Sequence, residues 1–195
     1  MNTAKSTPSL AEPDRQTASG KVLWHFTMSL DGFVAGPGHS MDWMTGFTSR
    51  PGLIEEYTET TGAVLGGRRG WDAFPHADAI YGGAWKGRLF VLTHHPEDAQ
   101  PAEGVTFLNC DVAEAVRIGL EAAAGKNLEV FSPTIGRQLL ERGLIDEIDL
   151  HIAPVLLGDG VRLFDSPGGA PVRLELLNGS DRTAEVFVRY RPAPA

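Results

Sequence analysis

The sequence predicts an α/β protein: a mixed, mostly parallel sheet with helices on both faces and an antiparallel hairpin at the C-terminal end. Apolar strand-like runs alternate with helix-like segments through the middle of the chain, and after Gly158-Asp159-Gly160 the pattern changes to strict alternation. A length of 195 residues, 42% of them hydrophobic, supplies enough apolar material for a real core.

Residues 1–20 are polar and without an apolar period, and read as a disordered leader before a single domain over residues 21–192. From Lys21 a strand ends near Met28, and the pair Asp31-Gly32 turns the chain into a short apolar return. Residues 36–49 read as loop. A short helix over 53–61 precedes the strand Ala63-Val64-Leu65, and Gly66-Gly67 leads into one or two helical turns from Arg68 to Phe74. A loop rich in glycine and aromatics follows, then strands at 88–93 and 105–108.

Asp111 to Ala124 is the clearest helix. Asp111 and Glu114 form a capping-box pattern, Val112, Ala115, Val116, Gly119 and Leu120 share a face, and Gly125 supplies the stop. The strand 128–131 runs into Ser132-Pro133, an N-cap followed by proline at the first helical position, and that helix ends before Gly143. A long strand over 145–157 comes next. In the last segment Val172, Leu174 and Leu176 alternate with Arg173 and Glu175, residues 178–181 turn, and Ala184, Val186, Val188 and Tyr190 share a face, which predicts a hairpin.

Charge and motifs narrow the function. Lys plus Arg number 17 and Asp plus Glu 25, a net charge of −8, which argues against nucleic acid or an anionic membrane as the main partner. No apolar run approaches the ~20 residues of a membrane span, and the N-terminus lacks a signal-peptide pattern. The single cysteine, Cys110, suits a reducing cytoplasm and reads as a structural thiol. The G-x-G-x-x-G, G-x-x-x-x-G-K-[ST] and G-x-S-x-G motifs are absent, and the six histidines lack H-x-x-x-H spacing, so no metal site is expected.

Three junctions fall where an open α/β sheet presents ligands, beyond the carboxyl ends of its strands. Leu65-Gly66-Gly67-Arg68-Arg69 offers close backbone approach and two guanidinium groups for a phosphate. Leu92-Thr93-His94-His95 adds a hydroxyl and imidazoles, and Phe131-Ser132-Pro133-Thr134-Ile135-Gly136 offers N–H groups at a helix N-terminus, suited to a diphosphate.

With S-L-D-G-F-V-A-G at residues 29–36 and G-L-I-D-E-I-D-L-H-I-A-P-V-L-L-G at residues 143–158, this order resembles the dihydrofolate reductase-like superfamily. Within it, the chain is most similar to the C-terminal reductase domain of bacterial bifunctional riboflavin deaminase-reductases, over nearly all of residues 21–190. The resemblance implies a three-layer fold, an NADPH-dependent oxidoreductase, a homodimer in many members, and hydride transfer to a small heterocyclic or ribosylamino substrate. Models for that chemistry are 5-amino-6-(5-phosphoribosylamino)uracil reductase and dihydrofolate reductase. No deaminase zinc signature is present, so only the reduction in riboflavin biosynthesis would belong to this chain.

By the same resemblance, Gly67, Arg68 and Arg69 match the segment that holds the adenosine phosphate, and Thr93 and His94 the pair at the adenosine ribose. Relatives carry Gly-Gly or Gly-Ala where this chain reads Ser132-Pro133, which removes one N–H donor and adds bulk at the expected diphosphate contact. Ser132, Pro133, Thr134, Ile135 and Gly136 are the expected diphosphate cradle. Asp31 and Asp42 are the acidic candidates for delivering the proton that accompanies hydride, each with an ordinary turn or cap role as the alternative, and Trp43 is the candidate to stack on a flat substrate. The competing reading is a non-catalytic, metabolite-binding or regulatory homodimer that has lost its diphosphate grip at Ser132-Pro133.

Overall fold

A computed structural model of the chain describes residues 15–178 and 189–191. A six-stranded sheet organises them. Its strands are β1 (Val22–Ser29), β3 (Thr61–Gly67), β4 (Arg88–Leu92), β5 (Val105–Leu108), β6 (Asn127–Phe131) and β7 (Glu147–Ala153), in the spatial order β5-β4-β3-β6-β1-β7. All neighbouring pairs are parallel. Two short strands, β2 (Phe33–Ala35) and β8 (Val161–Arg162), form a separate antiparallel pair.

Strand alternation sorts the side chains onto two faces. On one face Val22 and Trp24 of β1, Ala63 and Leu65 of β3, Phe90 of β4 and Leu128 and Val130 of β6 meet α3 (Val112–Ala123) and α4 (Pro133–Glu141). The opposite face is covered by α1 (Leu53–Thr60), α2 (Arg68–Ala73) and the turns over Ala77–Gly83, where Val64, Leu89 and Val91 pack on Trp85 and Trp71. The arrangement is the three-layer, dihydrofolate reductase-like fold.

The cap chemistry read from sequence is present in part. Asp111 accepts from Ala113 N at 2.9 Å, as an N-cap does, but Glu114 does not complete the box: its carboxylate pairs with Arg117 one turn on, at 2.8 Å. The stop adopts left-handed backbone one residue early, at Ala124 (φ 51°), and continues it through Gly125. Ser132 caps α4 by accepting from Ile135 N at 3.3 Å, with Pro133 at the first position.

Two expectations are corrected, and one falls largely outside the described residues. The strand expected over 145–157 is confined to Glu147–Ala153, because Pro154 lacks the N–H that would continue the ladder. The expected C-terminal hairpin would pair residues 172–176 with a return over 184–190, most of which lies outside the described residues. The return residues Ala184, Val186 and Val188 lie outside the described residues. Among the described residues the antiparallel pair is β2 against β8. Finally, residues 15–20, placed in the disordered leader, are tied to the domain: Ser19 N and Lys21 N donate to Asn127 Oδ1 at 3.1 Å, and Asn127 Nδ2 donates to Thr17 O. Residues 1–14 lie outside the described residues.

Candidate active site

The order β4-β3-β6 places the carboxyl ends of three parallel strands side by side, with Gly67 opposite Leu92 and Gly66 opposite Phe131 in register. The three junctions singled out in the sequence therefore meet. Gly67, Arg68 and Arg69, then Thr93, His94 and His95, then Ser132, Pro133, Thr134 and Ile135, line one cavity of about 780 Å³. An apolar part of its wall comes from Phe26 of β1, Val34 and Ala35 of β2, Phe131 and Val161. A volume of this size falls in the range of small-molecule sites.

The close approach of two tips depends on a glycine. A Cβ on Gly67 would stand 3.0 Å from Ser132 Oγ, the atom that caps α4. Gly136, by contrast, does not line the cavity. A Cβ there would lie 2.1 Å from Cε2 of Trp24, so this residue lets α4 settle on the sheet rather than letting a ligand approach.

The two arginines divide their work. Arg68 is bound by the protein itself: Nε donates to Asp72 at 2.6 Å, and the terminal nitrogens donate to the carbonyls of His95 and Asp98 at 3.2 and 3.3 Å. It joins the first junction to the second. Arg69 lines the same cavity with no hydrogen-bond or ion-pair partner among the described residues, so its guanidinium is available to an anion.

At the third junction the donors can be counted. Pro133 has no N–H, Ile135 N is taken by the Ser132 hydroxyl, and Gly136 N donates to Ser132 O at 2.8 Å. That leaves Thr134 N and the hydroxyls of Thr134 and Ser132, the latter accepting from Ile135 N but keeping its own O–H, as donors toward the cavity. The cradle is narrower than a glycine pair would make it, but it is open. Arg69, the Thr134 donors and the apolar wall together fit a ligand with a phosphate at one end and a flat ring at the other.

The residues expected at the reacting end sit elsewhere. Asp31 does not line the cavity. Its carboxylate accepts from Ser29 Oγ at 2.7 Å, Leu157 N at 3.0 Å and Gly158 N at 2.7 Å, and these bonds, the Ser29 hydroxyl foremost, lower its pKa to about 2. It is an ionised clamp on the loop before β8, unsuited to donating a proton. Asp42 is exposed and exchanges hydrogen bonds with Ser40 at 3.0 and 3.2 Å, the local turn role. Trp43 packs near Phe47, ring centroids 6.2 Å apart, and is also outside the cavity wall.

Sequence reasoning passed over His39, Cys110 and Asp111, which do reach the cavity. Asp111 is held by Arg142 at 2.7 Å and by its cap, both of which lower its pKa, the arginine most. Burial, and next the Glu114 and Asp111 charges, push the Cys110 thiol up, so it is not a poised nucleophile. The position of Cys110 just past β5 was a readable signal for its place at a strand tip. His39 offered none, since its approach depends on how the 36–44 loop folds back.

The model of the RibD C-terminal domain family matches residues 82–187. The uncharacterized protein YwjB of Bacillus subtilis (strain 168) is 27% identical over 153 residues, 74% of this chain and 82% of that protein. Among solved structures, a putative riboflavin biosynthesis protein from Shewanella sp. PV-4 superposes with a TM-score of 0.61 at 22% identity, covering 77% of this chain and 86% of that one. Dihydrofolate reductase from Enterococcus faecalis, complexed with NADP(H), superposes with a TM-score of 0.55 at 14% identity, covering 76% and 79%. At these identities the two structures establish the fold. The matched segment runs from the turn before β4 across β5, α3, β6, α4 and β7, and so holds two of the three junctions around the cavity: the chain belongs to the RibD C-terminal domain family.

Proposed function

We propose that the chain is an NADPH-dependent reductase that transfers hydride to a small heterocyclic substrate. The observation that carries the reading is the convergence of three strand-tip junctions on one cavity, with the free Arg69 guanidinium at one part of its wall and the Phe26, Val34 and Phe131 side chains at another. The family, and the NADP(H) bound by the dihydrofolate reductase of the same fold, support it. In this reading Arg69 holds an adenosine phosphate, Thr93 and His94 lie along the ribose, and Thr134 donates to the diphosphate. The nicotinamide supplies hydride when bound.

The proton that accompanies it comes from the cavity's own imidazoles or from water they order, since Asp31 is ionised and engaged. His39, His94 and His95 line the wall, and their ring nitrogens are hydrogen-bonding groups able to hold a proton or orient a water there. Apolar residues around the ring end keep water away from the reacting carbon.

Titration with NADPH, followed by tryptophan fluorescence and nicotinamide emission, tests the reading, with saturable binding in the micromolar range expected. Absence of binding at millimolar NADPH would overturn it and favour the non-catalytic alternative, which Ser132→Gly with Pro133→Gly would then restore to cofactor binding.

A further inference from the structure

One sheet face carries a feature that the cavity does not use. Near the amino-terminal half of the sheet, away from α3 and α4, His25 of β1 and Glu129 of β6 are 6% and 0% exposed, and Asp149 and His151 of β7 lie beside them. A buried carboxylate demands donors. Glu129 has Thr61 Oγ1 on Oε1, and Tyr81 Oη with His25 Nδ1 (3.3 Å) on Oε2. Two tyrosines roof the cluster: Tyr57 stacks on the His25 ring at 4.1 Å and 5°, and Tyr81 stacks on Tyr57 at 5.6 Å and 22°.

The two are held differently. Tyr57 belongs to α1, is 1% exposed and donates to Asp149 Oδ2. Tyr81 hangs from the turns over Ala77–Gly83 in left-handed backbone (φ 51°), a conformation costly to a side-chain-bearing residue, and is followed by Gly82 and Gly83, both also at positive φ. Neighbouring Asp78, Gly82 and Ala84 are exposed, whereas Trp85, 4% exposed and donating to Thr61 O at 2.9 Å, fixes the downstream end. Burial and the Glu129 charge keep the Tyr81 phenol protonated, so it is the donor. A strained segment thus pushes a planar ring with one hydrogen-bond donor into a stacked, polar, buried slot. One atom there is left over: His25 Nε2 is buried with no partner among the described residues.

We propose that Tyr81 is a displaceable plug in a binding chamber for a planar aromatic ring bearing an N–H or O–H donor. Swinging out on Gly82-Gly83, it frees one acceptor position on Glu129 Oε2 and the stacking face of Tyr57, and the incoming ring takes both. The ring of Phe131 lies 6.4 Å from that of Tyr81 and 6.0 Å from that of His25, and Phe131 also lines the large cavity. A ring in the chamber is therefore one side chain from that cavity; its placement next to a hydride donor rests on the reductase reading, but occupancy of the chamber does not.

Calorimetry with 2-aminopyrimidine, and with pyrimidine as the ring lacking the donor, tests this on the whole chain. Tyr81→Ala should bind 2-aminopyrimidine at least tenfold more tightly than the unsubstituted protein, with pyrimidine gaining much less. Tyr81→Phe, which keeps the ring and loses the bond to Glu129, should fall between. In the unsubstituted protein, saturating 2-aminopyrimidine should speed amide exchange across residues 78–84 and leave Trp85 protected. Equal affinities in the three proteins, no preference for the amino ring, or unchanged exchange in 78–84 would each overturn the proposal. If Tyr81→Ala does not fold, Tyr81→Phe and the exchange measurement decide. No nicotinamide nucleotide enters these measurements, so their failure and that of the reductase reading are separable.

Discussion

Gly158 donates its backbone N–H to the carboxylate of Asp31 at 2.7 Å, tying the turn after β1 to the loop that precedes β8. Leu157 N, 3.0 Å from the other oxygen, makes the grip two-pronged, and Leu163 N donates to Gly32 O at 3.0 Å just beyond it. Through this clamp the β2–β8 pair, with Val34, Ala35 and Val161, is held as a wall of the cavity.

Asp31→Asn should release that wall. Amide exchange at Leu157 and Gly158 should accelerate and NADPH affinity should fall, with the main sheet intact by circular dichroism. Because the folded pKa, about 2, lies below the ordinary value of 3.8, the clamp's contribution is complete above about pH 4 and is lost as pH falls toward 2. An acid-unfolding profile that is the same in Asp31→Asn across that window would contradict this role.

His151 should make the fold acid-sensitive at a higher pH. Desolvation foremost, then the charge of His25, lowers its pKa from 6.5, with Asp149 opposing. A histidine that takes a proton less readily when folded contributes full stability above its unfolded pKa, and stability declines as pH drops from about 6.5 toward the lowered value. Thermal unfolding from pH 7.5 to 5 should show a falling midpoint, and His151→Gln should flatten that slope.

Arg69 and Arg68 should separate binding from stability. Arg69→Ala removes an unengaged guanidinium, and loss of a charged hydrogen bond of about 1.5–3 kcal/mol predicts a roughly ten- to hundredfold weaker NADPH affinity with unchanged unfolding. Arg68→Ala breaks the contacts to Asp72, His95 and Asp98 and should raise amide exchange in α2 and residues 95–98. Paired fluorescence titrations and exchange measurements check both.

Two glycines should respond oppositely to alanine. At Gly136 the new Cβ meets the Trp24 ring at 2.1 Å, so overpacking of about 1–3 kcal/mol should exceed the helix-propensity gain of about 1 kcal/mol. At Gly70, inside α2, nothing lies within 4 Å, and Gly70→Ala should stabilise by up to about 1 kcal/mol. Urea unfolding of the two variants measures the difference in sign.

The legible parts of this protein are those governed by neighbours in sequence. Ser132-Pro133 and Asp111 cap their helices because a side-chain oxygen need only reach an N–H two or three residues on. The order of strands and helices, and the three glycine- or cap-bearing junctions, follow from periodicity of the same short range. The role of Asp31 stayed open in the sequence because a turn aspartate looks alike whether it faces a substrate or a backbone 126 residues away.

The sequence by itself determined the strand-helix order, the family and which junctions end strands, since each depends on local pattern or on motifs of adjacent residues. Only the tertiary structure decided that β4, β3 and β6 stand side by side, that Arg69 rather than Arg68 remains free, and that His25, Glu129, Tyr57 and Tyr81 share one buried cluster. Parallel neighbours are joined by crossovers, so which tips meet, and which polar side chains must satisfy one another out of water, is set by three-dimensional packing between residues far apart in the chain.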